Sequence, residues 1–272
     1  MAKMPATEMA VAYAKSRPDL SWGVHLTFIR NTCERPVCDP KDIPALVGPD
    51  GMFMDSQKVR LMALFNQIPI DQAARVIEAQ VGLLLDRGLK ISHVDSHGHL
   101  HKFGPIRKAL ELVLPKLGIS RVRSVQDVYI RKPYKSFTYW FGPVQRQRIR
   151  AAFDTTDAFY MPSSAWDTDW EQPLLDRLPH LNAQTIEVGV HPGYSEGWRD
   201  YERRSILKFA QLARDAGHTL IGWKDLPTRK QPPNAPLTHV RTACPAPESS
   251  DAPTSDVHAG SCSIARPHHA SA

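Results

Sequence analysis

Histidines are concentrated in one short segment in the middle of the sequence, which reads HVDSHGHLH at 93–101. Side chains alternate along a strand, so a strand here is expected to place His93, Asp95 and His97 on one side. Two imidazoles and a carboxylate suit a divalent metal ion. The alternative is a polar strand end with exposed histidines. The density of imidazoles, and the turn that Gly98 allows, favour the metal site.

Two further histidines have the same kind of setting. His25 lies in WGVHLTF at 22–28, where apolar and small or polar residues alternate, and His191 ends the strand-like run of EVGVHPGY at 187–194. A lone His on a strand is often a satisfied core residue, and His191 could equally be satisfied by backbone groups. Three strands that share this design favour a common functional site, and His191 at a strand end is well placed to act as a general acid or base.

The elements that must position these residues alternate between helix and strand. Apolar residues at helical spacing predict helices, and short apolar runs predict strands. The predicted helices are at 5–17, 71–87, 104–117 and 201–216, and the predicted strands are at 21–28, 91–95, 121–125, 185–191 and 218–223. This alternation is typical of an α/β fold with a parallel sheet or a (β/α) barrel. The aromatic-rich stretch 129–170 is predicted to be an irregular insertion or lid.

Composition divides the 272 residues into a folded domain at 1–226 and a tail at 227–272. The tail has no Phe, Trp or Tyr and holds 8 of the 23 prolines, so it is predicted to be disordered. No apolar run is long enough to span a bilayer, and four cysteines do not make a disulfide scaffold, so we expect a cytoplasmic protein. A net charge of +6 from dispersed basic residues does not favour nucleic acid as a partner. A homodimer is left open.

Three ordered motifs make the sequence resemble the YdjC-like (ChbG-type) carbohydrate deacetylase family. They are GVHLTF at 23–28, HVDSHGHLH at 93–101 and EVGVHPGY at 187–194. The resemblance implies a (β/α) barrel-like fold, a divalent metal (Mg²⁺ or Zn²⁺), and removal of acetyl from an N-acetylated sugar, either an oligosaccharide or a glycolipid. The metal would activate a water molecule to attack the acetamide.

The same resemblance implies roles for individual residues. His25 and His97 match metal histidines, and His191 matches the histidine that protonates the leaving amine. Asp95 and Tyr194, from the second and third motifs, are expected to contact substrate. The family also has an Asp-Asp pair on a first strand that this sequence does not contain, so an N-terminal β-α unit is expected to be missing. Two other functions are left open for this chain: a catalytically inactive sugar-binding relative of the family, or a metal-dependent hydrolase that acts on another amide or ester.

Overall fold

Short parallel strands and helices follow one another along the chain, which confirms the predicted α/β class. The computed structural model describes residues 1–31, 34–134, 137–162, 168–191 and 197–227. Its α-helices are α1 (Thr7–Ser16), α2 (Ser56–Leu64), α3 (Ile70–Asp86), α4 (Gly104–Val113), α5 (Phe137–Ala152), α6 (Glu171–Arg177) and α7 (Gly197–Asp215). Its strands are β1 (Trp22–Leu26), β2 (Ile91–Ser96), β3 (Ala158–Tyr160) and β4 (Ile186–Val188).

Parallel pairing joins the strands in chain order, as in a (β/α) barrel. β1 pairs with β2, and β3 pairs with β4. The segment 121–128 connects the two pairs, because Val122 bridges to Val94 of β2 and Val128 bridges to Tyr160 of β3. Parallel strands end at the same edge of a sheet, which is where α/β folds build their sites. The motifs at the ends of β1, β2 and β4 therefore face a common edge.

Helix α3 shows how the sequence places a helix against this sheet. Its buried apolar residues recur three or four positions apart, so they form one stripe along the helix. These residues are Ala73, Val76, Ile77, Val81 and Leu84. The helix ends beside Gly88, which has a φ of 79° in the left-handed region that favours glycine. The stripe packs into the same apolar core as Val24 and Leu26 of β1.

A second apolar core lies around β3 and β4. It contains Tyr160, Trp170, Leu174 and Phe209, with Ile186 and other residues packed against it. Trp170 is fully buried and packs against Phe209 at a ring distance of 5.4 Å. Packing is therefore its role. Among the described residues, no helix has the length and apolar character needed to cross a bilayer.

The structure corrects three predicted elements. The stretch 129–170 is not irregular, since it contains α5 and β3. The segment 121–125 makes isolated bridges rather than a continuous strand. The segment 218–223 is not a strand, because a cavity of about 730 Å³ lies between it and β4. The predicted tail lies outside the described residues except for Pro227, so the domain boundary stays a prediction.

Candidate active site

The site is centred on a contact between His25 of β1 and Asp95 of β2. The parallel register places these two residues opposite each other, and His25 Nδ1 lies 2.8 Å from Asp95 Oδ1. Asp95 is buried, whereas His25 is half-buried. A carboxylate at Nδ1 accepts the hydrogen of that nitrogen, which leaves the lone pair on Nε2. This is the arrangement of a histidine prepared to bind a metal or to take a proton.

Arg123 holds the other side of Asp95. Its guanidinium donates to Asp95 Oδ2, and its Nε donates to Glu187 Oε1 of β4 at 2.7 Å. Burial by itself raises the pKa of Asp95, but the hydrogen bond from His25 and the charge of Arg123 outweigh burial and hold that pKa below its ordinary value. Asp95 is therefore a carboxylate at neutral pH. Both of its oxygens have protein partners, so its contact with substrate stays a prediction.

His97 lies beside His25, immediately after β2. The two imidazole rings are 5.6 Å apart between centroids and meet edge to face. His97 Nε2 lies 2.5 Å from the side-chain amide of Asn31. Burial, together with the nearby His25, lowers the pKa of His97, so its imidazole is neutral at neutral pH. A neutral imidazole is the form that binds metal.

The turn after β2 explains how His97 comes to face His25. Gly98 and His99 have φ values of 63° and 55°, so the backbone reverses direction through the left-handed region. A Cβ on Gly98 would lie 2.4 Å from the guanidinium of Arg60. The backbone conformation favours glycine here, and a larger residue would also displace the end of the Arg60 side chain.

Two other histidines of this segment, His93 and His101, have structural roles. His93 stacks on Trp223 with a centroid distance of 4.6 Å, and it covers Gly23 so closely that a Cβ there would lie 2.4 Å from its ring. His101 is fully buried and contacts Ser96 Oγ through Nδ1 at 2.8 Å. The high count of histidines in 93–101 is thus shared between the candidate site and the packing beneath it.

His191 approaches the site from the end of β4. Its backbone N–H donates to Glu202 Oε2 at 2.6 Å, and its Nδ1 lies 3.5 Å from the same oxygen. Glu202, on α7, is almost completely buried. His191 makes a small contribution to lowering the pKa of His97, after burial and His25. Tyr194 lies outside the described residues.

The ligand set for a metal is small. The described residues contain no group of three or more His, Cys, Asp and Glu side chains that could hold a metal ion. His25 and His97 offer two neighbouring imidazoles, which fit two positions around a divalent ion. Catalytic zinc sites usually have three protein ligands, so two imidazoles would bind an ion weakly.

Sequence reasoning missed three residues of this site: Asn31, Arg123 and Glu202. Arg123 directly follows Val122, which bridges to β2. Alternation along the predicted strand 121–125 could therefore have indicated that Arg123 faces the site. Asn31 and Glu202 lie outside the motifs, on a loop and on a helix. No local pattern distinguishes them from surface residues, because their contacts depend on tertiary packing.

In comparison with known protein families, residues 1–217 match the family described as YdjC-like protein. Carbohydrate deacetylase from Brevibacillus brevis is 31% identical over 194 residues, covering 71% of this chain and 68% of that protein. Carbohydrate deacetylase from Vibrio vulnificus strain CMCP6 is 37% identical over 222 residues, covering 79% of this chain and 75% of that protein.

A solved structure supports the same architecture. The fold resembles that of a proposed cellobiose-phosphate cleavage protein from Enterococcus faecalis V583, with a TM-score of 0.60 and 18% sequence identity. The alignment covers 82% of this chain and 84% of that chain. At this level of identity the similarity establishes the fold alone.

Proposed function

The chain belongs to the YdjC-like protein family, and from this premise we propose that it is a hydrolase that removes acetyl from an N-acetylated sugar. One observation carries the proposal. His25 is paired with the buried Asp95 and lies beside His97, at the end of two adjacent parallel strands. The two relatives compared above are carbohydrate deacetylases, which supports a sugar as the substrate; an N-acetylated oligosaccharide or glycolipid is the substrate class that we propose.

Hydrolysis of an acetamide needs water activated as a nucleophile, stabilisation of the oxyanion, and a proton for the leaving amine. His191 is our candidate for the proton donor. Glu202 accepts from the backbone N–H of His191 and lies 3.5 Å from its Nδ1, so that side of the ring faces Glu202. On His25, the contact of Nδ1 with Asp95 leaves the lone pair on Nε2.

A divalent ion bound by His25 and His97 is part of this proposal. When bound, such an ion supplies a positive charge that polarises a carbonyl oxygen and lowers the pKa of water. The support is the neutral state of His97 and the carboxylate on His25 Nδ1. Whether the ion is Mg²⁺ or Zn²⁺ is part of the test.

The activity is tested by measuring acetate released from N-acetylglucosamine oligosaccharides. We expect release by the wild-type chain and a loss of about 100-fold or more in kcat for His191→Gln, because general acid catalysis contributes about 10²–10⁴-fold. His180→Ala is the matched control, since His180 is an exposed histidine at the end of a short helical turn. The proposal would be overturned if the wild-type chain neither released acetate from acetylated sugars nor bound them.

A sugar-binding protein without catalysis is the second candidate. It is favoured by the small ligand set, because no three-residue metal group is found among the described residues. Sugar binding by calorimetry without any acetate release, whether or not metal is added, would select this alternative.

Metal binding has its own test, independent of activity. We expect calorimetry with Zn²⁺ and with Mg²⁺ to detect one weak site that is lost in both His25→Ala and His97→Ala. His180→Ala should bind the ion as the wild type does. Equal binding by the wild type and both site variants would exclude an ion at these two imidazoles.

A further inference from the structure

A buried arginine connects the strands behind the site. Arg123 contacts Asp95 of β2 on one side and Glu187 of β4 on the other, and all three side chains are largely buried. The ring of Phe159 in β3 lies under the guanidinium, whose carbon is 5.3 Å from the ring centroid. Arg123 is thus fixed by two carboxylates and an aromatic ring, without reaching the open side of the site.

The consequence for Asp95 is that neither of its oxygens is free. Oδ2 accepts from Arg123 and Oδ1 faces His25 Nδ1 at 2.8 Å. A carboxylate held at both oxygens cannot rotate without losing a charge-assisted hydrogen bond. The direction of Asp95 Oδ1 is therefore set by Arg123.

We propose that Arg123 is a positioning residue that acts through Asp95 to fix the orientation of the His25 ring. It keeps the hydrogen on His25 Nδ1 and the lone pair on Nε2. Glu187 in turn holds Arg123 in the direction of Asp95. This inference rests on the proposed function only in giving His25 a role in the reaction; the geometry itself does not depend on which reaction occurs.

The test compares Arg123→Met with Arg123→Lys and a matched control. Lysine can keep one charged contact to Asp95 but not the contacts to both carboxylates. Arg121→Met is the control, because Arg121 is two residues earlier on the same segment and donates instead to the backbone carbonyls of Lys224 and Leu226. Folding of each variant is checked by circular dichroism.

In kinetics, we expect Arg123→Met to lower kcat by about 10–100-fold, the usual cost of removing a partner that orients a functional histidine. KM should change little, because Arg123 is largely buried and paired with Asp95 and Glu187. Arg123→Lys should recover part of kcat, and Arg121→Met should keep the wild-type value. Equal losses in Arg123→Met and Arg121→Met, or wild-type kcat in Arg123→Met, would overturn the proposal.

A second readout does not require activity. Long-range ¹H–¹⁵N spectra of the imidazole side chains identify which nitrogen of His25 carries the hydrogen, with the signal assigned by its absence in His25→Gln. We expect the Nδ1–H form in the wild type and in Arg121→Met, and a mixture of forms in Arg123→Met. If Arg123→Met does not fold, Arg123→Lys serves in its place, and we expect it to lose a smaller share of the Nδ1–H form of His25. If the ring form of His25 is unchanged in the folded Arg123 variant, the positioning role is refuted. If the ring form changes but the wild-type chain releases no acetate, only the proposed function is refuted.

Discussion

His101 is fully buried beneath the turn that carries His97, and its environment makes stability depend on pH. Its backbone N–H donates to Ser96 Oγ at 2.8 Å, and its Nδ1 is equally close to that oxygen. Burial lowers the pKa of His101 from 6.5 to about 4; Asp95 opposes the change, while Arg123 and Lys102 add to it. The unfolded chain therefore binds a proton at His101 at a higher pH than the folded chain does.

The sign of the effect follows from this difference. The contribution of His101 to stability should be fully present above about pH 6.5. It should be lost as the pH falls towards 4, because protonation of His101 favours the unfolded chain. Between pH 7.5 and pH 5 the contribution of His101 to the free energy of unfolding should fall by about 2 kcal/mol. Urea unfolding at both pH values measures it, and His101→Asn should show the smaller fall. In His180→Gln, a change at an exposed histidine, the free energy of unfolding should fall as much as in the wild type. An equally large fall in His101→Asn would contradict the assignment of the pH dependence to His101.

Residue patterns predicted part of the candidate site. Alternation along β2 predicted that His93, Asp95 and His97 lie on one side of the strand, and in the structure Asp95 faces His25 of β1. Alternation could not separate the roles of the four histidines in 93–101, because stacking of His93 on Trp223 and burial of His101 against Ser96 depend on tertiary packing. The assignments of His25, His97, His191, Asp95 and Tyr194 as functional residues stay predictions.

Helix α3 fixes the end of β1, the element that carries His25. Gln80 is buried and faces Thr27, just beyond β1: its Oε1 accepts from the Thr27 N–H at 3.0 Å, and its Nε2 donates to the Thr27 carbonyl at 2.7 Å. One side chain thus satisfies both backbone groups of a residue in the core. A buried backbone group without a partner is costly, so this contact stabilises the position at which the chain leaves the sheet.

We expect Gln80→Met to lower the free energy of unfolding by about 1–3 kcal/mol, since it leaves two buried backbone groups unpaired. Gln72→Met is the control on the same helix. Gln72 accepts one hydrogen bond from the N–H of Ala45, which is only partly buried, so water can replace it and the loss should be below about 1 kcal/mol. Denaturant unfolding compares the two variants. A similar small loss in both would show that the Gln80 contact is not important for stability.

The elements with strong apolar periodicity were predicted well, and those defined by pairing were not. α3 was predicted at 71–87 and occurs at Ile70–Asp86. α5 was missed because aromatic residues and Pro143 interrupt the helical pattern, although the helix continues through the proline. The segment 218–223 has the composition of a strand, but a strand needs a neighbour. Leu220 and Ile221 stay exposed beside the cavity next to β4.

The two apolar cores of the described chain are joined by the segment 121–128. On one side its backbone exchanges hydrogen bonds with Val94, through the carbonyl of Arg121 and the N–H of Arg123, both at 3.0 Å. On the other side the N–H of Val122 donates to Asp154 at 3.0 Å, and that of Asp127 donates to Phe159 at 3.1 Å. The buried Arg123 adds a contact to β2 and another to β4. Loss of either core would leave this segment, and the ion pairs it carries, without one set of partners.

Because of this shared segment, we expect both cores to unfold in one cooperative transition. Leu110→Ala removes a fully buried side chain from the first core, and Leu174→Ala does the same in the second. Each should lower the free energy of unfolding by about 2–5 kcal/mol, as a buried cavity does. Thermal unfolding followed by far-ultraviolet circular dichroism and by tryptophan fluorescence should give one midpoint in each variant, shifted equally in both signals. The contrary result is that Leu174→Ala gives an early transition in tryptophan fluorescence while the circular dichroism signal keeps its wild-type midpoint. That result would show that the ion pairs through Arg123 are too weak to couple the two cores. The candidate site would then be lost before the chain as a whole unfolds.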